Sequence, residues 1–193
     1  RRTVAAEAAR IMQAEGLTDF RAAKTKAAER LGLGRNAPLP DNAEIEAALA
    51  EHSRIFHAST QPALLVTLRK AAQDQMGELA TFHPRLAGDV LRGTATNHSV
   101  IELHLFSDTV EAVAEALDGL GIRHQGGARR LRFRREEVET LPLLRFRAGE
   151  CDFACTVFPL RLRGQAPLSP VDGRPMERAS LKELAGLLGD GPY

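Results

Sequence analysis

Ser99-Val100-Ile101-Glu102-Leu103-His104-Leu105 places a carboxylate and an imidazole two residues apart in a run of branched and apolar side chains. Such a run reads as a strand, whose period of two puts Glu102 and His104 on one face. There a carboxylate oxygen suits a hard cation, and the imidazole can add a nitrogen ligand or take a proton. The same pair also reads as exposed positions on an edge strand, which requires no chemistry. Further along, Arg132 and Arg134 flank Phe133, and Arg145 and Arg147 flank Phe146. Each set describes a strand with a guanidinium face and an apolar face. Neighbouring strands of this kind would crowd like charges unless an anion, or acids such as Glu136, Glu137 and Glu139, relieved them. A phosphate groove and a solvated sheet surface with local ion pairs both satisfy the pattern.

Cys151 and Cys155 are the chain's two cysteines. Four residues apart along a strand, their Cα atoms exceed the reach of a disulfide, so two free thiols are expected.

These residues must be positioned by elements that the rest of the pattern suggests. In the first eighty residues the spacing is helical: Val4, Ala8, Ile11 and Met12 lead to Gly16, and a second segment runs from Asp19 to Gly32 or Gly34. Asp41 with Glu44 has the spacing of a capping box ahead of Ile45, Leu49 and Phe56. A longer helix after Pro62 aligns Leu64, Leu65, Leu68, Ala72, Met76 and Leu79. From Leu86 the period changes. Residues 86–91 form an apolar run ending at Gly93, residues 100–106 a buried strand, and residues 109–120 a helix closed by Gly121. Strands are expected over 122–125, 129–135, 143–146 and 152–158, with Gly126-Gly127 and Ala148-Gly149 as turns. A turn-rich loop follows, and Ser180 with Glu183 caps a last helix carrying Leu181, Leu184, Leu187 and Leu188. The order predicts an α+β protein: a helical segment over 1–80, then a mixed sheet flanked by helices over 81–193.

Composition bounds the partners. With 193 residues and a formal net charge of +1, the chain is long enough for a good core and is not polybasic overall. Arginine nonetheless far outnumbers lysine, and ten arginines fall between Arg123 and Arg163. A coding bias and a phosphate-facing surface both account for that. No apolar run approaches the roughly 18 residues of a spanning helix, and no signal-peptide order is visible, so a cytoplasmic protein without a membrane partner is expected. The chain begins at Arg1 rather than Met, which points to a preceding piece. Residues 22–32 have the small-residue texture of a helix-turn-helix unit, with Lys24 and Lys26 available to phosphates; an ordinary Ala-rich packing helix has the same texture.

Gly93-Thr94, a short polar loop and then Ser99-Val100-Ile101-Glu102-Leu103 resemble a divergent form of the signature of DNA polymerase β-like nucleotidyltransferases. In that family a strand ends in Gly-Ser and the next strand carries Ser-Asp-Ile-Asp-Leu. The resemblance covers roughly residues 79 to 160 and implies transfer of a nucleotide from a nucleoside triphosphate to an acceptor, with Mg²⁺ or Mn²⁺ held by carboxylates. By that resemblance Gly93 and Thr94 cradle phosphate, Glu102 and Asp152 hold the ion, and His104 is an extra ligand or a general base. Arg132 and Arg134 are candidate nucleotide contacts. The first carboxylate position is Val100, which cannot ligate a cation, so the resemblance implies weakened or lost catalysis. A non-enzymatic module binding a nucleotide, a nucleic acid or a protein on the same fold is the alternative.

Overall fold

The computed structural model describes residues 1–34, 37–56, 61–134 and 137–189, the side chains of 53–56 and of Gln61 excepted. Glu136 and the Phe56 side chain therefore lie outside the described residues. Contacts divide the chain into two compact units: Arg1–Leu64 with Gly93–Ser99 and Pro170–Gly173, and Leu65–Arg92 with Val100–Ser169 and residues from Arg174 onward.

Alanine makes the first unit. Helices α1 (Arg2–Glu15), α2 (Phe20–Arg30) and α3 (Asn42–Phe56) bury Ala5, Ala8, Ala9, Ala23 and Ala27, with Val4, Ile11, Met12, Ile45 and Leu49 filling the space between. Gly16 ends α1 in the left-handed conformation at φ 65°. Asp19 caps α2 by accepting from the Arg21 amide at 2.8 Å. Asp41 and Glu44 form the expected reciprocal box, each carboxylate accepting from the other's amide at 2.8 and 2.7 Å. The Lys26 ammonium pairs with Glu15, which also takes Arg30 at 2.8 Å. With Ala23 and Ala27 wholly buried, α2 has the character of a packing helix. Thr94 donates to Glu46 at 3.3 Å, and the Asn42 amide donates to the Pro170 carbonyl, which ties these two short segments to α3.

A mixed five-stranded sheet organises the second unit, in the order β1-β2-β5-β4-β3. Its strands are β1 (Arg85–Ala87), β2 (Ile101–Phe106), β3 (His124–Arg132), β4 (Val138–Ala148) and β5 (Cys151–Phe158). β2 and β5 are parallel and adjacent, with Glu102 opposite Ala154 and His104 opposite Thr156; the other pairings are antiparallel. Helices α4 (Gln61–Glu78, in this unit from Leu65), α5 (Gly88–Arg92), α6 (Val110–Gly119) and α7 (Leu181–Gly189) accompany it. The α+β expectation is met, and the Ser180–Glu183 box forms ahead of α7. No helix among the described residues is long and apolar enough to cross a membrane.

Three local expectations are corrected. The run 86–91, which the family resemblance implies is a strand ending at Gly93, is not one strand: Gly88, at φ 76°, turns the chain out of β1 into the short α5, so Gly93 follows a helix. Arg69 on α4 secures that helix by donating to the Val90 and Leu91 carbonyls at 3.1 and 3.0 Å. Gly126 and Gly127 are not a turn but lie inside β3, on a sheet edge where missing side chains leave little packing undone. Residues 138–148 form one strand, and Pro142 is tolerated in it because the ladder to β5 starts one residue later, at Leu143.

Candidate functional site

Register fixes what each face of the sheet presents. One face is apolar on its central strands, with Ile101, Leu103 and Leu105 of β2 beside Phe153, Cys155 and Val157 of β5. The opposite face carries Glu102, His104 and Phe106 of β2, then Asp152, Ala154, Thr156 and Phe158 of β5, then Arg147, Arg145 and Leu143 of β4. Glu102, His104 and Asp152 therefore share a face, on neighbouring parallel strands.

Their environments differ. Glu102 is half-buried and accepts from Arg129 of β3 at 3.0 Å. Gly88 lies against it: a Cβ there would stand 3.0 Å from the Glu102 carboxyl carbon. The glycine bend that ends the strand before β2 and touches the candidate carboxylate is thus Gly88, whereas the Thr94 hydroxyl is engaged with Glu46 in the other unit. Asp152 is exposed, with Arg147 at 3.8 Å. His104 is only 1 % exposed, and burial, then the charges of Arg178 and Arg129, push its pKa down to about 3. The imidazole is neutral at physiological pH and a poor general base there.

Val100, Asp152, Arg123, Arg145, Arg147, His124 and Gln125 are among the residues lining a depression of about 650 Å³ at this end of the sheet, together with Phe146 and Phe153, whose rings stack on the apolar face. Arg123 and Arg145 make no ion pair among the described residues, and Arg147 donates to the Glu150 carbonyl at 3.4 Å and stands 3.8 Å from the Glu150 and Asp152 carboxylates. Three arginines and one aspartate are among its lining residues, a balance of charge that favours an anion, although the Arg145 guanidinium itself lies over Gly127. Arg132 and Arg134 are elsewhere. Arg132 pairs in register with Val138 at the far end of the β3–β4 ribbon and points to the opposite face from Arg145, and Arg134 faces Glu137 at 3.6 Å. The expected crowding of the two arginine pairs does not arise, because they sit at opposite ends of the ribbon and on opposite faces.

As arranged, these donors do not fit a pair of divalent ions. One carboxylate is bonded to a guanidinium, the other faces one, and the third position is valine. Among the described residues no group of three or more His, Cys, Asp or Glu side chains is gathered so as to hold a metal. Cys151 and Cys155 are free thiols, as expected, and burial raises the pKa of both.

The sequence reading missed Gly88, Arg129, Thr156 and Arg178. Arg129 had a signal: by period two it shares a face with Leu131 and Phe133, which pack on the sheet. Compared with protein-family models, with curated proteins and with solved structures, the chain matches none.

Proposed function

We propose that this is a nucleotidyltransferase-like protein in which nucleotide binding has outlived all or most of the metal-dependent chemistry. Support comes from one observation above all: the hollow lined by Val100 and Asp152, the positions of the first and third carboxylates in the family frame, also has Arg123, Arg145 and Arg147 among its lining residues. Guanidiniums there can neutralise a polyphosphate directly, the task divalent ions perform in an active transferase. Adjacent parallel strands bearing Glu102 and Asp152 on one face agree with the family frame, and so does a glycine bend against Glu102. Residual transfer, if this site performs any, would rely on Glu102 and Asp152 to hold Mg²⁺ or Mn²⁺.

Calorimetry with a nucleoside triphosphate, with and without Mg²⁺ or Mn²⁺, tests the reading. Binding without metal is expected, weakened by salt and reduced about tenfold in Arg145→Ala. Binding that requires the metal and disappears in Glu102→Ala would restore a working two-ion site. Absence of triphosphate binding under every condition would overturn both forms.

A further inference from the structure

Deeper on the same sheet face, three polar side chains have atoms that satisfy no hydrogen bond: both ring nitrogens of His104, Oγ1 of Thr156 and Nη1 of Arg178, each shielded from solvent. His104 and Thr156 are register partners on β2 and β5, and their residues are 1 % and 0 % exposed. Arg178 arrives from the far end of the chain. Ala179 exchanges two backbone hydrogen bonds with Leu86 at 2.8 Å each, so its neighbour Arg178 falls on the His104 side of the sheet. There the guanidinium lies 5.5 Å from the Phe106 ring centroid, and the Phe158 ring stands 4.5 Å from that of His104.

Charge decides what fits. Arg85, opposite His104 on β1, adds a second cation close enough to oppose that of Arg178. Neither arginine makes an ion pair among the described residues: Glu102 is bonded to Arg129, and Glu183 of α7, bonded to Ser180, feels the Arg85 charge only at a distance. The half-buried Arg178 guanidinium donates from Nη2 to the Arg163 carbonyl at 3.3 Å, and its shielded Nη1 is left without an acceptor or a counter-charge; water would satisfy that donor without neutralising it. His104, Thr156 and Arg178 each carry an unspent donor, and an oxyanion is an acceptor able to take several donors at once.

We propose that Arg178, Thr156 and His104 form a binding site for one oxyanion group of the phosphate class, reached from the half-buried side where Arg85 lies. This site is separate from the hollow at Arg145 and stands whether or not that hollow takes a nucleotide. Side-chain NMR of His104 in the full chain tests it, with inorganic phosphate as the probe in one arm and a nucleoside triphosphate in the other. Phosphate should shift the His104 ring signals and raise its pKa by at least about one unit, because an anion stabilises the imidazolium. Thr156→Val and Arg178→Gln should each weaken that response about tenfold, and Thr156→Val, nearly isosteric, keeps the test decisive if Arg178→Gln does not fold. A response to both probes supports a site for the free ion, and a response to the triphosphate alone supports one for a ligand's phosphate. His104 signals unmoved by either probe, or a response that survives in the folded variants, would overturn the site.

Discussion

The two faces of the central strands are built from alternate residues of the same segments and obey different rules. On the side of Leu103 and Val157 every position is apolar and closed, and burial alone accounts for the residue types. On the side of Glu102 and Thr156 the same strands bury polar groups, one carboxylate bonded to Arg129 and others whose donors and acceptors are unspent. A sheet needs the first face to fold. Nothing about folding asks for the second, which costs stability at each unsatisfied atom, and that cost is the physical ground for placing function there.

Acid should separate the faces most strongly. Folding depresses the His104 pKa from about 6.5 to about 3, so the folded chain binds this proton less readily than the unfolded one. Its contribution is complete above about pH 6.5 and is lost as pH falls toward 3, at about 1.4 kcal/mol per pH unit. Urea unfolding from pH 7 to pH 4 should show this slope, and His104→Leu should flatten it. A wild-type slope unchanged by that substitution would mean that the polar face is wetter than its burial indicates.

Next in size, Phe158→Ala removes the ring that His104, Phe106 and Phe133 share and should cost about 4 kcal/mol, matching or exceeding about 3 kcal/mol for Leu103→Ala across the sheet. Denaturant midpoints of the two variants compare packing on the two faces directly, and a cost for Phe158→Ala below about 1 kcal/mol would mark the polar face as loosely packed. Smaller still, Gly88→Ala forces an alanine into φ 76° and against Glu102, for about 2 kcal/mol. Glu102→Gly beside it should recover part of that loss, and no recovery would show that backbone strain, not the carboxylate, sets the glycine requirement.

The parts legible in the sequence were those governed by local rules. Asp41 with Glu44, and Ser180 with Glu183, announced helix starts because a capping box is complete within four residues. Period two put Glu102 and His104 on one face without knowledge of the neighbouring strands. What stayed hidden depended on partners remote in the chain. Arg129 became the Glu102 counter-ion only through a sheet order that places β3 on the far edge. Gly126-Gly127 reads as a turn locally and is strand only because β4 pairs with it. Arg178 sits in a segment whose own pattern is irregular loop, and two backbone bonds to Leu86 give it a place on the sheet.

That junction at Leu86 and Ala179 has one more effect. By occupying the outer side of β1 it hides backbone donors and acceptors that would otherwise invite another chain to add a strand. A protein shortened before Arg174 would keep all five strands yet bare that border and lose the guanidinium beside it, so resistance to aggregation and the charge of the polar face should fail together.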